Sequence, residues 1–143
     1  FAGAPVSGIM TVQVETLPST ATVGEARHRF GAGRHGAYPI VEGGRLVGIV
    51  SRGDMLRDTT DDAAPLVELA NRQVVTVRPD DSAQHALQVM VDEQVEHVPV
   101  IDADGRLVGI CTRTDLLKVR RRQLALERVQ GGLAHRRLAK VRP

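Results

Sequence analysis

The 143-residue chain contains a second, diverged copy of its own first half, and this duplication limits the possible folds more than any other feature. At an offset of 60 residues, Ala4-Pro5 pairs with Ala64-Pro65, Gln13-Val14 with Gln73-Val74, Thr16 with Thr76, Ala26 with Ala86 and Pro39 with Pro99. The register then gains one residue between Glu42-Gly43-Gly44 and Asp102-Ala103-Asp104-Gly105. Beyond it, GRLVGIVSRGDML (44–56) matches GRLVGICTRTDLL (105–117) at nine of thirteen positions. An added residue is tolerated best in a turn, so the pattern is a tandem duplication with a length change in one hairpin.

Both copies change apolar period at the same places. A β-branched run, Val12 to Thr16 or Val74 to Val77, predicts a strand. Thr22 and Ser82 stand at helix N-cap positions, Thr22-x-x-Glu25 has the spacing of a capping box, and apolar residues follow at helical intervals: Val23, Ala26 and Phe30, or Ala83, Ala86, Leu87 and Met90. Tyr38-Pro-Ile-Val and Val98-Pro-Val-Ile predict a second strand, and Leu46-Val-Gly-Ile-Val and Leu107-Val-Gly-Ile-Cys a third. A closing helix opens at Ser51 or Thr112. The unit is β-α-β-β-α, an α+β class of roughly 55 residues, too small to bury a secure core alone, so two should pack as one pseudo-two-fold body. The expected division is repeat 1 over 1–57, a linker over 58–63, repeat 2 over 64–118 and a basic tail over 119–143.

Charge is unevenly spread. From Lys118 to Pro143 nine basic residues face Glu127 alone, a net charge of +8, which leaves −6 on residues 1–117 of a chain that totals +2. The basic character therefore belongs to a tail and not to the body. Tyr38, Phe30 and Phe1 are the complete aromatic set, too few for a stacking platform, and with the acidic body this argues against nucleic acid as a partner. No uncharged stretch is long and unbroken enough to span a bilayer. A single cysteine, Cys111, excludes an intramolecular disulfide and makes a reducing cytoplasm the expectation. A start at Phe1 rather than Met suggests a piece of a longer protein.

The sharpest repeated signal is a strand running into a helix through Gly48-Ile-Val-Ser51-Arg52-Gly-Asp54 and Gly109-Ile-Cys-Thr112-Arg113-Thr-Asp115. It sets a hydroxyl at the N-cap, an arginine at the first helical position and a carboxylate at the third. Unpaired N–H groups and the positive helix end suit a phosphate, the arginine adds to that, and the carboxylate can accept from ribose hydroxyls. The same spacing is also that of an ordinary capping box with no ligand. Cys111 aligns with Val50 inside an apolar strand and reads as a small buried hydrophobe. Gly43-Gly44 lacks a phosphate loop's G-K-[ST] ending and reads as a hairpin turn. The five histidines show no metal-ligand spacing, so no metal site is expected. No set of nucleophile, base and orienting residue emerges, which argues against an enzyme.

The repeat resembles the CBS domain, and the chain a CBS pair, or Bateman module. The resemblance covers about residues 4–118. It rests on Thr16 and Thr76, at the positions of the family's T-x-x-P or T-x-x-x-D element, on Pro39 and Pro99, the latter in His97-Val-Pro-Val, and on G-x-[IV]-[ST]-x-x-D at the third strand. It implies a non-catalytic regulatory module binding adenosine-containing ligands, AMP, ADP, ATP or S-adenosylmethionine, in two clefts between the repeats. It also implies a homodimer. Carried over by position, Asp54 and Asp115 would hold ribose hydroxyls, Ser51 and Thr112 would contact phosphate or ribose, and Arg52 and Arg113 would add positive charge. Adenine would lie near Val14, Thr16 and Tyr38 in one cleft and near Val74, Thr76 and Val98 in the other. His97 stands where members often carry a phosphate-contacting base; repeat 1 has Ala37 there, with Arg34 and His35 just upstream. The Val6-Ser-Gly-Ile9-Met10-Thr11 segment further resembles the start of the cytoplasmic C-terminal region of CLC chloride channels and transporters, which implies a place on the cytoplasmic face of a membrane protein and a tail beside anionic lipid. The alternatives are a dimerisation scaffold with vestigial clefts and a free-standing CBS protein with a nucleic-acid-binding tail.

Overall fold

The computed structural model describes residues 3–57, 60–119 and 121. Repeat 1 runs through β1 (Leu17–Pro18), α1 (Val23–Ala32), β2 (Ala37–Glu42), β3 (Arg45–Ser51) and α2 (Arg52–Arg57). Repeat 2 follows with α3 (Ala83–Glu93), β4 (His97–Ile101), β5 (Leu107–Thr112) and helical residues 113–119, while β1 has its counterpart in a single parallel bridge from Val77 to Val100. β1 pairs parallel with β2, and both β2–β3 and β4–β5 are antiparallel hairpins. The α+β class and the paired repeats expected from the sequence are thus the observed ones.

Local chemistry explains the elements. Thr22 Oγ1 accepts from Glu25 N at 3.1 Å and Ser82 Oγ from His85 N at 3.0 Å, satisfying N–H groups that the first helical turns leave free. Gly43 (φ +58°) and Gly44 (φ +81°) allow the two-residue turn between β2 and β3. In the second hairpin, which is one residue longer, the Asp102 carboxylate accepts from Asp104 N and Arg106 N at 2.9 and 3.0 Å. The two hairpin tips join across the pseudo-two-fold axis, Leu46 N donating to Gly105 O and Leu107 N to Gly44 O at 3.1 and 3.0 Å.

The β-branched runs do not form the predicted strands. Thr11 bridges to Ile110 of the other repeat, whereas Leu17 pairs with Ile40 of its own, so residues 12–16 cross between two sheets with no neighbour to ladder against. Val12 is consequently 66% exposed. Residues 72–76 make the same crossing between Asn71, bridged to Ile49, and Val77.

That crossing reveals an exchange. Val6 opens a 3-10 turn (Val6–Gly8) and is buried in the core of repeat 2 with Val77, Ala83, Ala86, Met90, Val98, Val100, Cys111 and Leu116. Leu66 opens the matching turn (Leu66–Glu68) and is buried in the core of repeat 1 with Leu17, Val23, Ala26, Phe30, Tyr38, Ile40, Val50 and Met55. Backbone bonds fix both segments: Val6 N to Asp81 O and Ala83 N to Ala4 O on one side, Leu66 N to Ala21 O and Val23 N to Ala64 O on the other, all 2.7–2.9 Å. Cys111 is fully buried, as expected, and burial together with the charge of Asp115 pushes its thiol up to about 12. Among the described residues no helix is long and apolar enough to cross a membrane.

The central glycines of β3 and β5 admit the exchanged segments. A methyl group at Gly109 would lie 2.5 Å from Met10 Sδ and 3.0 Å from Thr11 O; at Gly48 it would lie 3.2 Å from both Ala70 Cβ and Asn71 O. Gly109→Ala should therefore cost roughly 1–3 kcal/mol in urea unfolding, the range for overpacking a closed site. Gly31→Ala, in open space on α1, should be neutral or stabilising by up to about 1 kcal/mol. Equal effects at the two positions would show that the close approach is not what Gly109 serves.

Candidate functional site

Each third strand turns into its helix beside the start of the preceding strand. Arg52 N donates to Gly36 O at 2.8 Å and Arg113 N to Glu96 O at 3.0 Å, so the helix starts are tied to the segments that lead into β2 and β4. Ser51 Oγ accepts from Asp54 N, and Thr112 Oγ1 from Asp115 N, both at 3.2 Å. In repeat 2 the cap is reciprocal: Asp115 Oδ2 accepts from Thr112 N and from its hydroxyl, each at 3.0 Å. The Thr11 hydroxyl reaches the same carboxylate at 3.4 Å from the exchanged segment. In repeat 1 the Asp54 carboxylate instead pairs with Arg57 at 2.9 Å. The capping role is thus present in both copies, and it leaves acceptor capacity on Asp115 Oδ1 and on Asp54.

Two recesses flank these caps. The first, about 260 Å³, is lined by Thr11, Gln13, Val14, Glu15, Arg34, His35, Gly36, Ala37, Pro39, His97, Ile110 and Thr112. The second, about 450 Å³, takes Ile49, Ser51, Gly53 and Asp54 from repeat 1 together with Asn71 and residues 94–97, and shares Gly36, Ala37 and His97 with the first. Each recess is therefore built crosswise, from one repeat's third-strand-to-helix junction and the other repeat's leading segment or second-strand start. The His97 ring lies against Gly36, where a methyl group would come within 2.9 Å of its Cε1 and Nε2. Burial holds this imidazole below its ordinary pKa of 6.5, opposed by the charge of Glu96. A larger hollow of about 530 Å³ lies on the helical face of repeat 2, among Leu87, Met90, Val91, Leu116 and Leu117, and adjoins the second recess through Gln94, Val95 and Glu96, with Arg113 in its wall.

The expected site residues divide accordingly. Val14, His97 and Thr112 come together in the first recess, with Asp115 behind Thr11; Ser51, Asp54 and His97 come together in the second. Thr16 lies with Val14 in a separate shallow hollow beside Leu107 and Val108, and Val74 and Thr76 line neither recess. Tyr38 and Val98 belong to the cores, 1% and 0% exposed, because alternate residues of a strand face opposite ways and these two face the helices. Tyr38 stacks edge-on to Phe30 at 4.7 Å and its hydroxyl donates to Arg29 O at 3.2 Å, which leaves no face for a base.

The Arg52 guanidinium does not serve as a free anion contact: it donates to Gly33 O at 2.9 Å and His35 O at 3.2 Å, holding the loop before β2. Arg113 reaches Glu96 at 3.4 Å. Thr11 and Asn71 enter the recesses unannounced, since nothing local in the sequence marks an exchange, and Glu96 enters the second from just before β4. Gln13 had a signal, its identity with Gln73 at the repeat offset.

Comparison with known proteins matches the family model for the CBS domain at residues 6–59 and again at 66–122. The chain is similar to the CBS domain-containing protein YhcV of Bacillus subtilis, 33% identical over 115 residues that cover 78% of this chain and 81% of that one. It spans only 36% of the uncharacterised protein MJ1232 of Methanocaldococcus jannaschii and 25% of that organism's inosine-5′-monophosphate dehydrogenase. Among solved structures it is similar to the CBS domain pair of protein MJ0100 in complex with 5′-methylthioadenosine and S-adenosyl-L-methionine, at 26% identity and a TM-score of 0.75, covering 84% of this chain and 98% of that one. It is also similar to the cytosolic domain of the Mg2+ channel MgtE in complex with ATP, at 31% identity and a TM-score of 0.72, covering 81% and 48%. Two matched repeats, the β-α-β-β-α order and the crosswise recesses agree: the chain belongs to the CBS domain family, as a tandem pair.

Proposed function

We propose that the pair is a regulatory, non-catalytic module that binds adenosine-containing ligands of the AMP, ADP and ATP class in the two crosswise recesses and passes their occupancy to a partner. The observation that carries this reading is the site at Thr112 and Asp115. A helix N-terminus and the apolar Val14 and Ile110 meet across a recess that only the packed pair creates, and the Asp115 carboxylate, with a spare acceptor oxygen, lies just behind its Thr11 wall. Such a recess offers a ribose a hydrogen-bond acceptor and a base an apolar wall. The adenosine compounds named for the MJ0100 pair and the MgtE domain support the ligand class. Proposed roles are ribose contact for Asp54 and Asp115, phosphate or ribose contact for Ser51 and Thr112, and base contact for Val14.

A ligand that binds only the folded chain stabilises it by mass action. AMP at 100 times its dissociation constant should add about 2.7 kcal/mol and raise the melting temperature. Asp115→Ala should lose much of that shift while costing on the order of 1 kcal/mol by itself, as for loss of a capping partner. A variant that keeps the whole response would remove Asp115 from the site.

The module is further proposed to act as a homodimer. Val91 and Leu117, 63% and 47% exposed, line the hollow at Leu87 and Leu116 on the helical face of repeat 2, and Leu56, 79% exposed, lines a smaller one with Phe30 and Met55 on that of repeat 1. A second copy would cover this apolar surface. Sedimentation should give twice the chain mass, and Leu117→Glu should reduce it to one; a monomeric parent would end this reading.

A second reading attaches the module to a membrane transporter, favoured by the similarity to MgtE. The CLC resemblance at Val6–Thr11, which would make the cargo chloride, rests on residues the fold itself requires: Val6 fills the core of repeat 2 and Met10 packs over Gly109. The basic tail invoked with it lies outside the described residues apart from 119 and 121. Under this reading the +8 segment binds phosphatidylserine vesicles, with roughly 1 kcal/mol per basic residue near the surface. Co-sedimentation should fall steeply with salt, and binding that ignores salt or is absent at low salt would count against it.

A further inference from the structure

The two recesses differ in charge although the repeats that build them correspond position by position. At the offset of 60, Arg34, His35 and Gly36 before β2 correspond to Gln94, Val95 and Glu96 before β4. The first recess thus receives Arg34 and His35, and the second receives Gln94 and Glu96. Arg34 is exposed and, among the described residues, makes no hydrogen bond or ion pair, so its planar fork of donors is open. The carboxylate lining the first recess, Glu15, is already engaged by His35 Nε2 at 3.1 Å and by Arg29 at 3.6 Å. Asp115 lies behind Thr11 and, unlike Asp54, does not line its recess.

The second recess presents acceptors. Asp54 and Glu96 both line it, while their partners, Arg57 and Arg113, do not. His97 lines both recesses and cancels from the comparison. A phosphate monoester near pH 7 carries about −1.5 to −2 charges. In the first recess it meets an unpaired guanidinium, a charge-assisted contact. In the second it meets no arginine or lysine and faces two carboxylates, each paired with an arginine that does not line the recess, so like charge disfavours it.

We infer that the two recesses take different adenosine compounds: the one beneath Arg34 takes a phosphate-bearing, anionic nucleotide, and the one over Asp54 and Glu96 takes a nucleoside whose 5′ end is uncharged or cationic. The inference rests on the adenosine-binding reading above and adds to it an assignment of ligand charge to each recess. The pair then reports two chemically distinct compounds at once rather than two copies of one.

Calorimetry on the full chain tests this with AMP, adenosine and 5′-methylthioadenosine. AMP should saturate at one per chain, and 5′-methylthioadenosine should still bind the AMP-saturated protein. Arg34→Ala, which removes an exposed side chain without partners among the described residues, should weaken AMP roughly tenfold or more, as for loss of a hydrogen bond to a charged group, and leave adenosine within about twofold. Two equivalent AMP sites, displacement of AMP by 5′-methylthioadenosine, or equal weakening of AMP and adenosine in Arg34→Ala would each overturn the assignment while leaving the adenosine reading in place. No heat with any of the three would end both.

Discussion

The close backbone approach at Gly48 and Gly109 is the constraint on which the rest of this structure depends. An antiparallel bridge forms at each of these strands, Asn71 on Ile49 and Thr11 on Ile110, and it forms between the repeats rather than within one. A side chain at either glycine would occupy the space of the incoming segment. Once the segments are in place, Val6 and Leu66 complete cores that are not their own, and the chain between bridge and strand is left to cross from one sheet to the other. The first recess lies along one of those crossings, at residues 11–15, and the second begins where the other one leaves its bridge, at Asn71. The binding geometry proposed here is thus a by-product of how the cores are closed.

The same exchange explains why some residues were legible in the sequence and others were not. Caps, hairpins and helix faces depend on residues a few positions apart, and Thr22, Ser82, Gly43-Gly44, Ala26 and Ala86 do what their local spacing implies. The runs at Val12 and Val74 have strand composition, yet a strand needs a partner, and the partner of the flanking residue lies in the other repeat. Local pattern carries no information on that choice.

For the candidate site, the third-strand hydroxyl and carboxylate were identifiable because both copies keep them. Tyr38 and Val98 were misplaced because a one-residue step along a strand moves a side chain to the opposite face, and the start of β2 and β4 is where that parity is hardest to fix from sequence. Arg52 follows the composition of a phosphate site, but its guanidinium is consumed by the carbonyls of Gly33 and His35. An arginine at a helix start can tie down a loop as readily as hold an anion, and only the distances tell which.

The reciprocal seating of Val6 and Leu66 also bears on how such a chain arises. Half of it, carrying one repeat and its own leading arm, would have a core lacking one large apolar side chain and an arm with nowhere of its own to rest. Both deficits vanish together if two such halves trade arms, since each then supplies what the other lacks. A head-to-tail fusion of two halves already swapped in this way keeps every contact and makes the partner's concentration irrelevant. After that fusion the two copies no longer share one sequence, so each half of the binding surface becomes free to diverge separately.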